Sequence, residues 1–361
     1  MMATIHRRSL RFRAPFRSST RTLHQRDILL LRIEDADGYH GWGEAAPFPE
    51  FGTESMENCH LSLHRAVGVI PHFPSHAYEA AMHLDSILPT LATTPAARFA
   101  VETALLDLAA KQRSVTLRTL LNERSVHRVP VNALITAGSV KDIAAAALAA
   151  VHEGYSCLKI KIGTGTLDDD IERVRAVRDA VGNDVLLRLD VNGAWEMNIA
   201  VEAAQRLADF GIEYLEQPVA CDERVNLAAL RALQLLPIAA DESAQRLDDA
   251  FMLLDSRAVD ILVVKPMASG SLLSCRSLAH RALEQGCDLV LTTFLDSAIG
   301  RHAVAQLAAS LPELTRHHGL ATGRLFARDT GRDELHAGYF ELPNGFGLGI
   351  EAFTGGQDAC T

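Results

Sequence analysis

The sequence lacks any apolar run approaching the roughly 20 residues that a membrane-spanning helix needs. It also lacks net positive charge: a formal net charge of −10 argues against nonspecific nucleic-acid binding as the main role. None of the six cysteines forms a CxxC pair, which argues against a cysteine zinc site or a disulfide framework. These absences predict no membrane and no nucleic-acid partner, and they favour a reducing, cytoplasmic setting.

The composition is otherwise that of an ordinary globular protein. The chain has 361 residues, 48% of them hydrophobic and 22% charged, which suits one large domain or two. Its first 26 residues carry seven arginines and no acid, a bias shared with organelle transit peptides. Because Ser9–Arg13 alternates between polar and apolar residues, we interpret this segment as a β-strand instead.

The N-terminal third predicts an α+β domain, which we place over residues 1–125. Asp35–Gly38 supplies a tight turn between the second and third of three predicted strands. Loops rich in Gly, Pro, Ser and Thr are expected at about 14–22 and 47–53, and a helical pattern runs from 55 to about 121. The predicted strands are Ile5–Phe12, Ile28–Glu34 and Gly38–Glu44.

From about residue 129, short apolar strands alternate with amphipathic helices at near-constant spacing. Such alternation is typical of a parallel sheet buried on both faces. Seven units and an eighth candidate strand near His318–Gly323 favour a TIM-type barrel over 126–325, followed by a Gly-rich return to the first domain over 326–361. The alternative, a doubly wound sheet, needs a Gly-rich phosphate loop, and Gly163-Thr164-Gly165 lacks the third glycine. The seven predicted strands are Val129–Ile135, Cys157–Ile162, Val185–Asp190, Ile212–Glu216, Pro237–Asp241, Asp260–Lys265 and Asp288–Thr292.

Charged residues end several of these apolar strands. Asp190, Glu216 and Asp241 are separated by 26 and 25 residues, and Lys265 follows 24 residues later. The carboxyl ends of barrel strands converge on one mouth, where a charge is costly unless it is paired or bound to a metal. Three oxygen donors suit Mg²⁺ first and Mn²⁺ second. The alternative is three unrelated carboxylates that cap helices, which the regular interval argues against.

Two lysines precede the carboxylates on one predicted strand. Lys159 and Lys161 are two residues apart, so both side chains point to the same face. Like charge and partial burial lower the pKa of a lysine, and a lysine near neutrality serves as a general base. Lys265 ends the sixth strand, across the mouth from the second. We therefore expect a small-molecule carboxylate between these lysines, positioned for abstraction of its α proton.

The charged residues belong to short motifs, namely Lys159-x-Lys161, Asp190-x-Asn192, Glu216-Gln217-Pro218, Asp241-Glu242-Ser243 and Lys265-Pro266. This set resembles the enolase superfamily, muconate-lactonizing subgroup, in which a lysine base works with Mg²⁺. The resemblance implies a (β/α)7β barrel and an α+β capping domain, whose loops near 14–24 and 47–54 close the site. It implies that Lys161 is the base, Lys265 stabilises the intermediate, and Lys159 lowers the pKa of Lys161. Asn192 and Glu242 are then supports behind the metal ligands.

The resemblance leaves the reaction open among members that abstract a proton α to a carboxylate. His317–Gly323 lacks the Asp-x-Asp pair typical of dipeptide epimerases and is similar to a stretch of o-succinylbenzoate synthases. The similarity to these synthases therefore implies a carbon–oxygen lyase that dehydrates a succinyl-hydroxycyclohexadiene carboxylate in menaquinone biosynthesis. The alternatives are an N-succinylamino acid racemase, a dipeptide epimerase and, outside enzymes, a noncatalytic metal-binding barrel. The sequence leaves open whether the protein forms a homo-oligomer. Substrate contacts are expected from Thr292, Thr293, Gly319 and Phe51.

The synthase substrate carries two carboxylates, which raises a hypothesis about the arginine-rich start. We hypothesise that the seven N-terminal arginines, Arg17 and Arg21 among them, partly face the loop that is expected to close the site and attract a dianion despite the net acidity. The alternative, which we favour, is a solvated strand edge blunted by charge.

Overall fold

A computed structural model describes residues 1–17, 22–136 and 138–352. The N-terminal part is an antiparallel three-stranded sheet covered by helices, with β1 at one edge and β2 in the centre. The first strand is longer than predicted and includes residues 14–17, which the sequence assigned to a loop. The elements are β1 (Met2–Arg17), β2 (Thr22–Glu34), β3 (His40–Ala45), α1 (Met56–Val69), α2 (Ala77–Met82), α3 (Leu84–Ile87), α4 (Pro95–Gln112) and α5 (Leu117–Leu121).

Helix α4 is the centre of this part, and nearly all of its side chains are buried. It packs against β3 so closely that a Cβ at Gly41 or Gly43 would collide with the backbone of Ala104 or Ala100. Glycine at both positions therefore permits the helix to approach the strand without a gap. The close packing fixes β3, whose last residues lead into the barrel interface.

The rest of the chain forms a curled parallel sheet whose strands run in the order β11-β10-β9-β8-β7-β6-β5. Each strand leads into a helix on the outside, as the alternating sequence pattern predicts. The strands of this sheet are β5 (Ala133–Ile135), β6 (Cys157–Lys161), β7 (Leu186–Asp190), β8 (Ile212–Glu216), β9 (Ile238–Ala240), β10 (Ile261–Val264) and β11 (Asp288–Leu291), and β4 (Arg128–Pro130) precedes them outside the sheet. The helices are α6 (Val140–His152), α7 (Leu167–Val181), α8 (Met197–Leu207), α9 (Arg224–Ala232), α10 (Leu247–Asp255), α11 (Pro266–Ser269), α12 (Leu272–Glu284) and α13 (Ala298–Ala309). Among the described residues, no helix combines the length and the apolar character that crossing a membrane requires.

The eighth strand is shorter than the prediction over His318–Gly323. The His318 amide donates to Pro130 O (2.8 Å) and the Gly319 amide to Leu291 O (2.9 Å), so two residues join the edges of the sheet. Residues Ala321–Leu325 form a 3₁₀ helix instead. Pro130 and Leu291 are the last residues of β4 and β11, so the backbone after Gly319 has no further strand residues there with which to extend the ladder.

The predicted strand Val129–Ile135 is two strands with different partners. Only β5 belongs to the barrel, whereas β4 pairs with a C-terminal hairpin of β12 (Glu334–His336) and β13 (Tyr339–Glu341). Beyond the hairpin, the Leu348 amide donates to Asp107 Oδ1 (2.6 Å) on α4, and Glu351 accepts from Trp42 Nε1 (2.7 Å). The C-terminal segment therefore contacts both parts of the fold.

The barrel interior explains why the charges stand at the strand ends. Side chains two residues apart share a face, and Tyr214, Ala239 and Val263 form an interior apolar cluster with Ile261 and Val290. The residues two positions later are Glu216, Asp241 and Lys265, which consequently face the same interior at the carboxyl end. The apolar cluster forms the floor beneath them.

Glu44, at the end of β3, joins the N-terminal part to the barrel. Its buried carboxylate accepts hydrogen bonds from the amides of Ser297 (2.7 Å) and Gly300 (2.8 Å), at the start of α13. Negative charge is favourable at a helix N-terminus, which offsets part of the cost of burying it. The neighbouring Asp296 is also buried, and burial, together with the charge of Glu44, raises its pKa to about 7.

The pKa of Asp296 predicts a pH dependence of stability. Between the ordinary value of 3.8 and about 7, the native state binds more protons than the unfolded state, so stability falls as pH rises through this window. The Asp296→Asn variant cannot ionise at this position. We therefore expect its free energy of unfolding, relative to that of the parent, to be higher at pH 8 than at pH 5 by on the order of 1–2 kcal/mol. Thermal unfolding between pH 5 and 8 measures this. The exposed Asp184→Asn is the control, and parallel curves for parent and Asp296→Asn would contradict the assignment.

Candidate active site

Three buried carboxylates and three lysines meet at the mouth of the barrel. Lys159 Nζ lies between Asp190 Oδ2 (2.9 Å) and Glu216 Oε1 (2.6 Å), and Lys265 Nζ pairs with Asp241. The strands that carry the carboxylates, β7, β8 and the end of β9, are neighbours in the sheet. The side chains singled out from their spacing are thus brought together, in ion pairs that reduce the cost of burying them.

The electrostatics of Lys159 differ from the expectation. Burial disfavours its ammonium form, but Asp190 and Glu216 outweigh burial and hold the pKa of Lys159 well above its ordinary value. The prediction that like charge and burial lower the pKa of the paired lysines is therefore wrong for Lys159. Burial, followed by the like charges of Asp190 and Asp241, raises the pKa of Glu216 to about 8, although Lys159 opposes the shift. Lys159 is accordingly a fixed cation beneath the site.

Lys161 lies on the same strand but has a different partner. Its Nζ donates to Asn192 Oδ1 (3.0 Å), and Asn192 Nδ2 donates to Glu242 Oε1 (3.1 Å). Asn192 has φ +50°, a left-handed conformation that asparagine tolerates better than most residues. Asn192 thus links Lys161 to Glu242. Among the described residues no carboxylate forms an ion pair with Lys161. Burial opposes the ionisation of Asp190, but the charge of Lys159 and, after it, that of Lys161 lower the pKa of this carboxyl.

Gln217, which the sequence motif contained without an assigned role, connects the ends of β8 and β9. Its Oε1 accepts from the amides of Asp241 (3.1 Å) and Ser243 (3.0 Å), and its Nε2 donates to Ser243 Oγ (2.8 Å). It is fully buried, with φ +39°. These bonds fix the backbone between Glu216 and Asp241, so Gln217 positions both carboxylates.

Aromatic rings from both parts of the fold cover Lys265. Its Nζ is 5.7 Å from the ring centre of Phe51 and 5.8 Å from that of Phe294, and the two ring centres are 5.5 Å apart. Such contacts stabilise an ammonium group. Phe51 follows β3 and Phe294 follows β11, so each part supplies one face of this cover.

A cavity of about 560 Å³ opens above the charges. All four predicted substrate contacts, Thr292, Thr293, Gly319 and Phe51, line it together with Lys159, Lys161, Lys265, Asp190, Asp241 and Asn192. The sequence analysis did not predict five further lining residues. Asn132 precedes β5, Glu153 and Tyr155 follow α6, and Thr322 and Arg324 follow the eighth strand. Thr322 belongs to the stretch His317–Gly323 but was given no role, and no motif marked the other four, because only the closure of the barrel brings its first and last strands together. Of the arginines hypothesised to attract a dianion, Arg21 and the side chain of Arg17 lie outside the described part.

The carboxylate set fits a hard divalent cation. Glu216 Oε2 is buried without a hydrogen-bond partner among the described residues, and carboxylate oxygens are the ligands that Mg²⁺ prefers. Yet among residues 1–17, 22–136 and 138–352, no three acidic, His or Cys side chains form a preformed metal-binding group. Lys159 and Lys265 engage the carboxylates instead. Binding a cation therefore requires these ammonium groups to give up part of their contacts.

Comparison with known proteins identifies the fold. Residues 142–353 match the family described as "Enolase C-terminal domain-like", and residues 1–122 match the "Mandelate racemase / muconate lactonizing enzyme, N-terminal domain". The chain belongs to the enolase superfamily. This membership confirms the predicted barrel with its N-terminal capping domain, so the N-terminal sheet and helices are called the cap below.

The relatives within the superfamily catalyse different reactions. The chain is 32% identical to "Muconate cycloisomerase 1-2" of Acinetobacter lwoffii over 93% of this chain and 88% of that protein. It is 26% identical to the "N-succinyl-L-Arg/Lys racemase" of Bacillus cereus over 97% and 95%. A solved dipeptide epimerase from Enterococcus faecalis, complexed with Mg and the dipeptide L-Leu-L-Tyr, superposes with a TM-score of 0.89 at 26% identity, over 96% of this chain and 98% of that one. None of these three is an o-succinylbenzoate synthase.

Metal binding is testable without any substrate. We expect Mg²⁺ to raise the melting temperature of the wild type, because a ligand that binds only the native state adds about 2.7 kcal/mol at a hundred times its Kd. Glu216→Gln should lose most of this Mg²⁺-induced shift, since it replaces a carboxylate that we expect to bind the metal with a neutral amide. Asp255→Asn, which alters an exposed ion pair, is the control. An undiminished shift in Glu216→Gln would exclude Glu216 as a ligand.

Proposed function

We propose that the protein is a Mg²⁺-dependent racemase of N-acylated amino acids. The observation that carries this proposal is the placement of Lys161 and Lys265 in one cavity. Lys161 ends β6 and Lys265 directly follows β10, with the three carboxylate-bearing strands between them. Lysines on opposite sides of a bound α-carbon permit one to remove the proton while the other delivers a proton to the opposite face. The named activities of the racemase and epimerase relatives support this reaction over dehydration.

Asp190, Glu216 and Asp241 are the proposed ligands of the metal, with Mn²⁺ as a substitute for Mg²⁺. When bound, the cation would neutralise the substrate carboxylate and the negative charge that develops on it as the α proton leaves. Lys159 keeps its ammonium form and contributes fixed positive charge beneath the site. Its role as a modulator of Lys161 remains a prediction.

Lys161 and Lys265 exchange the α proton in this proposal. Asn192 orients Lys161 through the 3.0 Å hydrogen bond, and Glu242 in turn holds Asn192. Phe51 and Phe294 orient Lys265 and keep water away from its Nζ. Each lysine abstracts the proton from one enantiomer and, as the ammonium, donates to the planar carbon formed from the other.

The acyl group follows from the charges that line the cavity. A dipeptide carries a free ammonium group, which needs a carboxylate partner when it is buried. Among the described lining residues the carboxylates are Asp190, Asp241 and Glu153. Lys159 and Lys265 engage Asp190 and Asp241, and Glu153 is about half exposed, so it does not supply a buried partner. An uncharged acylated nitrogen avoids this requirement, and the similarity to an N-succinylamino acid racemase supports the same choice.

Solvent exchange tests the two-lysine reaction. In D₂O with Mg²⁺, the wild type should exchange the α proton of both enantiomers of an N-succinylamino acid. Lys161→Ala and Lys265→Ala should each lose racemisation by about 10²–10⁴-fold, yet retain exchange of opposite enantiomers, since one base survives in each. Proton NMR measures the exchange, and circular dichroism checks folding.

The exposed Lys141→Ala on α6 is the matched control and should behave as the wild type. If both lysine variants lose exchange of the same enantiomer, the two-base reaction is wrong. Full activity in Lys161→Ala would remove this lysine from the mechanism.

A substrate panel tests the preferred class. We expect kcat/KM for racemisation of N-succinylamino acids to exceed that for dipeptide epimerisation by at least about tenfold, because an unpaired buried ammonium costs on the order of 1–3 kcal/mol or more. The synthase substrate and muconate belong in the same panel. Faster dehydration of the former would restore the lyase prediction, and faster conversion of the latter would indicate a cycloisomerase.

A further inference from the structure

The cavity also runs along α6. Ala146, Ala149 and Ala150 of this helix line it, and their small side chains leave room for a substrate group. Glu153, Tyr155 and Arg324 line the cavity as well, and we call them the distal rim together with Arg13 of the cap. Tyr155 precedes β6, whereas Lys161 is the last residue of β6, so the distal rim lies away from this lysine.

Arg324 is held at the distal rim by three contacts. Its guanidinium pairs with Glu153 and lies 5.3 Å from the ring centre of Tyr155. Its backbone carbonyl accepts a hydrogen bond from Arg13 Nε (3.1 Å). The side chains of Arg324 and Glu153 are nonetheless about half exposed, at 50% and 53%. Arg324 is thus oriented without being enclosed.

The charge at the distal rim favours an anion. Two guanidinium groups, of Arg13 and Arg324, stand against one carboxylate, of Glu153. An ion pair as exposed as that of Arg324 and Glu153 contributes little, about 0–1 kcal/mol, so another carboxylate can replace Glu153 at low cost. A guanidinium binds a carboxylate through two parallel hydrogen bonds, and Glu153 can then turn to solvent.

We infer that Arg324 binds a second carboxylate of the substrate, located at the end of its acyl group, and so determines the preference for dicarboxylic acyl chains. The inference deepens the proposed function and depends on it for the orientation of the substrate. Arg13 holds the Arg324 backbone and is a positioning residue. Arg13 is one of the seven N-terminal arginines hypothesised to attract a dianion, and Arg324 is a residue that this hypothesis did not include.

Binding and turnover of three ligands test the inference in the presence of Mg²⁺. N-succinyl-L-phenylalanine carries the acyl carboxylate, N-acetyl-L-phenylalanine lacks it, and N-acetyl-L-glutamate carries a side-chain carboxylate instead. Arg324→Met should raise Kd and KM for the succinyl ligand by about tenfold or more and leave those for N-acetyl-L-phenylalanine within about twofold. Glu153→Gln, which removes the competing carboxylate, should lower Kd for the succinyl ligand.

Arg281→Met is the matched control, because Arg281 forms an ion pair with Asp255 of similar exposure, 48% and 53%, away from the cavity. Equal weakening of both phenylalanine ligands in Arg324→Met would overturn the inference. Selective weakening of N-acetyl-L-glutamate would overturn it in favour of a side-chain carboxylate. If no ligand is racemised, the proposed function fails, and calorimetric binding of the succinyl and acetyl ligands still decides the role of Arg324.

Discussion

The balance of buried charge at the barrel mouth is the constraint on which the rest of the structure depends. Asp190, Glu216 and Asp241 are almost inaccessible to water, and their mutual repulsion would be costly in an unpaired state. Lys159 and Lys265 offset that repulsion directly. A divalent cation that binds to these carboxylates would replace part of the positive charge that the ammonium groups of Lys159 and Lys265 supply.

The cap completes the site in two different ways. Phe51 supplies one of the rings over Lys265, so the covered state of this lysine depends on contacts between cap and barrel. Glu44 binds the start of α13, which follows directly after the cavity-lining segment that includes Phe294. A change inside the cap can therefore shift cavity residues that it does not touch, and specificity is shared between both parts of the fold.

The two ends of the cavity have separate tasks in this picture. In the proposed reaction, the lysines at the mouth act on the α-carbon and the carboxylates hold the cation. In the same proposal, the distal rim around Arg324 distinguishes substrates by the acyl group that they carry. Such separation lets binding specificity change while the proton-transfer machinery stays intact.

The sequence alone determined the barrel, the carboxylates and the lysines. Strand periodicity and a regular interval of about 25 residues are properties of the sequence itself and need no knowledge of the tertiary structure. It did not determine the pKa of Lys159, which depends on the distances to Asp190 and Glu216. Nor did it reveal the split of residues 128–135 into two strands, the short eighth strand, or the meeting of Glu153 with Arg324. Those features arise only when the barrel closes and distant segments become neighbours, so tertiary structure alone decided them.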